Sequence, residues 1–147
     1  MTIKEYLNGY KRIVIKIRVL ERDIQKLAAE IGGGALRMDG MPHGSNLSDS
    51  TGEIAVQLAD MKRKRMDMLL EAYEKRDEIE DVILAVSDPI YMQLLHDRYI
   101  RLMNWNDITE DLHLYNDQYV RGKLHQKALA AAAELVADCK YLKGGDS

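Results

Sequence analysis

At 147 residues the chain has the length of one domain, or of a small domain with a helical extension. Aromatic residues make up only 6% of it, with no Phe, and charged residues make up 31%, a mixture that favours long solvated helices around an aliphatic core over a β-sandwich. The net charge of −3 argues against a module that is basic all over, so any attraction to nucleic acid must be local.

Three features of the sequence indicate the compartment. Cys139 is the single cysteine and cannot form an internal disulfide, no apolar run approaches the length of a membrane span, and residues 1–6 lack the apolar core of a signal peptide. We therefore expect a cytoplasmic protein without a membrane partner.

Residues 4–31 are predicted to form the first long helix. Apolar side chains recur there at alternating spacings of four and three, which is the pattern of a heptad seam. A shorter alternation of Ile13, Ile15, Ile17 and Val19 would suit a strand, but the heptad covers the whole segment and favours a helix. The seam consists of Tyr6, Tyr10, Ile13, Ile17, Leu20, Ile24, Leu27 and Ile31.

A Gly- and Ser-rich stretch, 32–52, is predicted to be a loop. Gly32, Gly33 and Gly34 are expected to stop the first helix, since glycine commonly follows a helix C-terminus. The stretch lacks the Gly-Lys-Ser/Thr ending of a phosphate-binding P-loop, so it is interpreted as a flexible connector.

Residues 53–86 are predicted to form a second long helix of similar length. The two helices are expected to make an antiparallel, coiled-coil-like hairpin over 1–86, although pairing between chains in a homo-oligomer would bury the same stripes. The second seam consists of Ile54, Leu58, Met61, Met68, Ala72, Ile79, Val82 and Val86, with Arg65 and Lys75 as polar positions.

A second domain is predicted over 88–142, because Pro89 suits the first position of a helix. Its helices are predicted at 89–103, 105–113 and about 117–142, and a flexible tail is predicted at 143–147.

The last two predicted helices have the layout of a helix-turn-helix, in which the second helix lies in the DNA major groove. Ile108 and Leu112 would pack against Val120 and Leu124, with Lys127 and Ala131 on the same inner side. Gln and Arg on the outer side suit base edges, and Lys and Arg suit phosphates. The residues expected nearest the DNA are Gln118, Tyr119, Arg121, Lys123, His125 and Gln126.

Gly122 lies in the middle of this helix, where glycine costs about 1 kcal/mol relative to Ala. A close approach by another backbone would account for it. The alternative for the whole segment is an ordinary three-helix cluster with a solvated charged face.

Two sets of residues carry resemblances to known families. Between Tyr91 and Leu129 the set consists of 94–95 with 98–100, then Trp105, Ile108 and Leu112, then Val120, Leu124 and 128–129, and with it this part of the chain resembles region 4 of bacterial sigma factors. The other set consists of the opening 2–7, of 41–45 with Ser48 and Asp49, and of 119–125, and with it the whole chain resembles the RinA/ArpU type of late-gene transcription regulator from phages of Gram-positive bacteria.

The resemblance implies a helix-turn-helix regulator of phage transcription that binds double-stranded DNA, with host RNA polymerase as a further partner. The turn 113–116 departs from the family pattern, because it lacks the usual Gly-x-Ser.

No enzyme, metal site or cofactor is expected. His43, His96, His113 and His125 show no metal-ligand spacing, and no catalytic constellation is visible. The basic run 62–65 is interpreted as a solvated helix surface. The prediction is an all-α protein with a DNA-binding domain. The alternative is a coiled-coil adaptor or a small-terminase-like packaging component, and the acidic balance of 87–147 favours the adaptor.

Overall fold

The computed structural model describes the backbone of residues 1–36 and 45–137 and the side chains of residues 1–31 and 51–137. Within these ranges the protein is all-α, as predicted, and no strand occurs. None of the described helices is long and apolar enough to cross a membrane. The helices are α1 (Ile3–Leu7), α2 (Gly9–Leu36), α3 (Ser45–Leu84), α4 (Pro89–Leu95), α5 (Trp105–Asp111), α6 (Asp117–Tyr119) and α7 (His125–Ala137).

Two π-helical turns extend this set. His96–Ile100 continues α4, and Val120–Leu124 joins α6 to α7, so that 117–137 is one continuous helix. The helix predicted at 89–103 ends earlier, at Ile100. The physical reason is Leu102, whose φ of 57° lies in the left-handed region and cannot continue a right-handed helix.

Much of the predicted loop at 32–52 is helical. α2 continues through Gly32, Gly33 and Gly34 to its end, and α3 begins at Ser45. Glycine weakens a helix interior without excluding helical backbone angles, so helix formers on both sides can carry the helix through the run. The prediction that these glycines stop the first helix is therefore wrong. Residues 37–44, which hold the rest of that loop and His43, lie outside the described residues, as do Cys139, the predicted helix end at Leu142 and the tail 143–147.

The chain divides into two compact units. One is Ile13–Glu71, and the other comprises Met1–Arg12 and Ala72–Ser147. This division differs from the predicted domain boundary at Asp88, because the start of the chain and the end of α3 supply core residues to the unit that holds the C-terminal helices.

The unit Ile13–Glu71 follows the heptad prediction. Ile13 and Ile17 are buried, whereas Ile15 and Val19 are 47% and 52% exposed, so helical spacing rather than strand alternation describes this segment. Leu20 of α2 and Met68 of α3 line the same groove, which places the two helices side by side there. The antiparallel hairpin remains a prediction that this groove supports. The other described seam residues of this unit are buried or half-buried: Ile24, Leu27, Ile31, Ile54, Leu58, Met61 and Arg65.

The other unit has one aliphatic core. α1 contributes Tyr6 and Leu7, and the end of α3 contributes several side chains that pack with α4, α5 and α7. Full burial of one such aliphatic side chain is worth roughly 1.5–3 kcal/mol. The side chains of α1 and of the end of α3 therefore contribute a substantial part of this unit's stability. The core consists of Tyr6, Leu7, Ile79, Val82, Ile83, Val86, Leu94, Leu95, Tyr99, Ile100, Ile108, Leu112, Val120, Leu124, Ala128, Leu129, Ala132 and Val136.

Candidate nucleic-acid interface

Side-chain caps fix where the two C-terminal helices begin. The Asn104 side chain accepts a hydrogen bond from the backbone N–H of Asp107 at 2.9 Å, so α5 begins at Trp105. The Asn116 side chain accepts from the N–H groups of Gln118 and Tyr119 at 3.0 and 3.2 Å, so the last helix begins directly after it. Asn is among the preferred N-cap residues because its side-chain oxygen satisfies backbone donors that the first turn leaves free. Both predicted helix starts are confirmed.

The turn between these helices closes with a Schellman motif built on a residue that is not glycine. His113 has a φ of 57°, its N–H donates to the carbonyl of Glu110 at 3.0 Å, and the N–H of Leu114 donates to the carbonyl of Thr109 at 3.0 Å. These bonds satisfy the last carbonyls of α5. The turn lies where the sequence predicted it, at 113–116, although it lacks the usual glycine.

The inner side of the last helix is anchored to α5 by the four predicted residues. Ile108 and Val120 have no exposed surface, and Leu112 and Leu124 are 6% and 5% exposed. Because these contacts bury one side of the helix, its orientation relative to α5 is fixed by packing.

The outer side carries most of the predicted contact residues. Five of the six side chains are exposed: Gln118, Tyr119, Arg121, Lys123 and Gln126. The sixth prediction is wrong, since His125 is only 3% exposed and belongs to the interior.

The π-helical turn Val120–Leu124 explains this error. A π turn closes i→i+5 hydrogen bonds and inserts one residue relative to an α-helix, so the buried positions beyond it shift by one. Lys127, predicted to face inward, is exposed, while Ala128 and Ala132 are fully buried. Ala131, also predicted to face inward, is half-buried against the core.

His125 is held in the interior by polar and aromatic partners. Its Nε2 lies 2.7 Å from the hydroxyl of Tyr99, and the Trp105 ring meets its ring edge-on at 4.7 Å. Burial, followed by the nearby charges of Lys4 and Arg98, lowers the pKa of His125 to about 4. Burial also raises the pKa of Tyr99 to about 12, so the Tyr99 hydroxyl keeps its proton and donates a hydrogen bond to Nε2 of the neutral imidazole. This histidine therefore has a packing role in the described structure.

Gly122 does not mark a close approach. Apart from its chain neighbours and the backbone of its own helix, a Cβ built there meets no atom of the described residues within 4 Å. The expected packing of another backbone against it is therefore wrong within this structure. The neighbouring Arg121 forms an ion pair with Asp117, with Nη2 and Oδ2 at 3.3 Å and both side chains well exposed. Exposed pairs of this kind contribute about 0–1 kcal/mol, so the guanidinium can exchange Asp117 for a phosphate at small cost.

A basic pocket beside this face was not predicted from the sequence. It has a volume of about 220 Å³ and is lined by Lys4, Asn8, Lys11, Arg98, Tyr99, Trp105, Arg121 and His125. These residues come from α1, α2, α5 and the helical segments 89–100 and 117–137, and no local spacing relates segments so distant in sequence.

In the part of the chain that the structure describes, no group of three or more His, Cys, Asp or Glu residues could hold a metal ion. Lys62, Arg63 and Lys64 are exposed, as expected for a solvated helix surface, and Arg65 is half-buried.

Comparisons with protein-family models, with curated proteins and with solved structures found no match to this chain.

Proposed function

We propose that the protein is a sequence-specific, DNA-binding transcription regulator whose last helix, 117–137, enters the major groove. Its resemblance to sigma region 4 and to RinA/ArpU-type regulators extends the proposal to phage late genes, with host RNA polymerase as the protein partner. The proposal places it in the bacterial host cytoplasm, and the two long helices provide the surface for a homo-oligomer.

One observation carries the proposal. The first half of the last helix exposes amide, phenol and cationic groups on one side and is anchored through Val120 and Leu124 on the other. Amide and guanidinium groups suit base edges, and Lys and Arg suit phosphates. A helix held by its aliphatic side against a neighbour, with its polar side free, is the arrangement that helix-turn-helix proteins use for DNA.

The test removes two cations from this face. Arg121→Ala with Lys123→Ala should weaken binding to the cognate duplex and lower the slope of log affinity against log salt by roughly two, because two phosphate contacts are lost. Fluorescence anisotropy across a salt series measures the slope. Lys62→Ala with Arg63→Ala is the matched control, since it removes the same charge from an exposed part of α3. An unchanged slope and affinity in the Arg121 and Lys123 variant rules out this face.

A second candidate is a protein that only docks other proteins, as an adaptor or packaging component. It is favoured by the exposed apolar side chains of the unit Ile13–Glu71, where Ile15 and Val19 lie one turn apart on α2 and Met66 and Leu70 lie one turn apart on α3. It predicts that no DNA sequence is preferred over any other.

A further inference from the structure

The basic pocket in the unit formed by Met1–Arg12 and Ala72–Ser147 concentrates positive charge. Lys4, Lys11, Arg98 and Arg121 all line it, and none of its lining residues is a carboxylate. Its volume of about 220 Å³ is several times the roughly 30 Å³ that one water molecule occupies in the liquid. A concave site lined by one sign of charge focuses the electrostatic potential and favours an anion.

Three of the four cations have no carboxylate partner in the described part of the structure. The ion pairs found there include Arg121 with Asp117 but none with Lys4, Lys11 or Arg98. The buried His125 also lines the pocket, and the charges of Lys4 and Arg98 add to burial in lowering its pKa. The fold therefore brings four cations to one pocket, and among the described residues only Arg121 is paired with a carboxylate.

Arg98 is fixed in place for such a ligand. Its guanidinium carbon lies 4.4 Å from the centre of the Trp105 ring, and its Nη1 donates to the carbonyl of Met103 at 3.0 Å. A guanidinium held by an aromatic face and one hydrogen bond keeps its remaining donors free in a defined direction, which suits the oxygens of a phosphate.

The position of Lys4 is also defined by local structure. Thr2 and Glu5 form a capping box, in which the Glu5 N–H donates to the Thr2 hydroxyl at 3.2 Å and the Thr2 N–H donates to the Glu5 carboxylate at 2.8 Å. Tyr6 and Leu7 then anchor α1 in the core. The start of the chain is thus held against the C-terminal helices within this unit.

We propose that this pocket binds a backbone phosphate of the DNA that the last helix reads, so that Lys4 and Lys11 belong to the DNA-binding surface. The inference rests on the proposed function. Arg121 links the two sites, since it lies on the exposed face of the last helix and also lines the pocket. The phosphate bound there positions the duplex against the helix and carries no sequence preference of its own.

The test replaces both lysines in the full-length protein by glutamine. Lys4→Gln with Lys11→Gln should lower the slope of log affinity against log salt by about 0.9 or more, since at least one phosphate contact is lost. The affinity deficit relative to the unaltered protein should then widen about threefold or more between 200 and 50 mM salt. Preference for the cognate sequence over a scrambled duplex should stay the same.

Two controls separate the pocket from total charge and from folding. Lys26→Gln with Lys62→Gln removes two exposed lysines elsewhere and should keep the slope. Lys4→Arg with Lys11→Arg keeps the charge and should restore it. A slope in the glutamine variant equal to that of the unaltered protein overturns the inference and leaves the proposed function standing. Failure of the unaltered protein to bind any duplex overturns both.

The phosphate that the pocket binds could belong to DNA or to a free phosphate compound. The fluorescence of Trp105 distinguishes the two, because it is the only tryptophan and it lines the pocket. Duplex DNA should change its fluorescence in the unaltered protein and much less in the glutamine variant. A change produced by millimolar inorganic phosphate, with an unaffected DNA salt slope, would assign the pocket to a free phosphate compound and contradict DNA anchoring.

Discussion

The imidazole of His125 is a buried polar group that hydrogen bonds stabilise in the interior of the protein. The Tyr99 hydroxyl and the backbone of Arg121 both hydrogen-bond it, which removes most of the penalty for burying it. Its pKa in the folded protein, about 4, lies below the ordinary value of 6.5. The stability that the neutral ring contributes is therefore present above pH 6.5 and is lost as the pH falls through about 4.

The contribution of Asp97 to stability depends on pH in the opposite direction. Its Oδ1 accepts from Nη1 of Arg101 at 3.3 Å, while its buried Oδ2 has no hydrogen-bond donor among the described residues. Burial, and then Asp111, raise the pKa of Asp97 to about 6. This folded-state pKa lies above the ordinary value of 3.8. The stability that the protonated Asp97 carboxyl contributes is therefore fully present below about pH 4 and is lost as the pH rises through about 6.

Replacing Asp97 with Asn should therefore stabilise the protein at pH 7.5. The Asn amide can donate to Asp111 and keeps an oxygen for Arg101, so we expect a gain on the order of 1–3 kcal/mol in the free energy of unfolding at pH 7.5 and little change at pH 4. Urea denaturation at both pH values measures this. Asp60→Asn, on an exposed part of α3, is the control and should change neither value. A variant less stable than the unaltered protein at pH 7.5 would contradict this account.

His113 offers a second stabilising substitution. Its φ of 57° is unfavourable for a residue with a Cβ, and its side chain is exposed and makes no core contact. His113→Gly should raise the free energy of unfolding by about 1 kcal/mol, because glycine adopts left-handed angles without strain. His113→Ala removes the same imidazole and keeps the strain, so thermal unfolding should separate the two variants. Equal stability of the Gly and Ala variants would show that the left-handed angle is not a source of strain.

At the level of the helices, what could be predicted followed from local signals. The seams at Ile13, Ile17 and Met68 could be read from spacing, because a helix of 3.6 residues per turn repeats its buried side locally. Pro89 marked a helix start for an equally local reason, since the first turn of a helix involves neighbouring residues alone.

The π turn at Val120–Leu124 could not be predicted in this way. Its effect is to place His125 against Tyr99 and Trp105, which are contacts between helices. Four of the six predicted contact residues lie before the end of the turn and keep their predicted exposure, as does Gln126. His125 and Lys127, which follow the turn, exchange sides. The pocket was missed for a related reason, as Lys4 and Arg121 meet only when the start of the chain packs on its C-terminal helices.

At the scale of the whole molecule, charge distribution matters more than total charge. The net charge of −3 would repel a duplex on average, yet Arg121, Lys123 and Lys127 lie exposed on one helix, and Lys4 and Lys11 line the pocket beside it. Attraction to phosphates falls off over roughly 8 Å at physiological salt, so these local charges dominate at contact distance.

Enrichment of DNA fragments from the source genome tests the central claim most directly. The full-length protein and its Arg121→Ala, Lys123→Ala variant are each mixed with sheared genomic DNA, and the bound fragments are sequenced. Our account predicts that the unaltered protein enriches a small set of fragments sharing one site upstream of genes, and that the variant loses this enrichment. Enrichment of no site, or of the same site equally by both proteins, would contradict it.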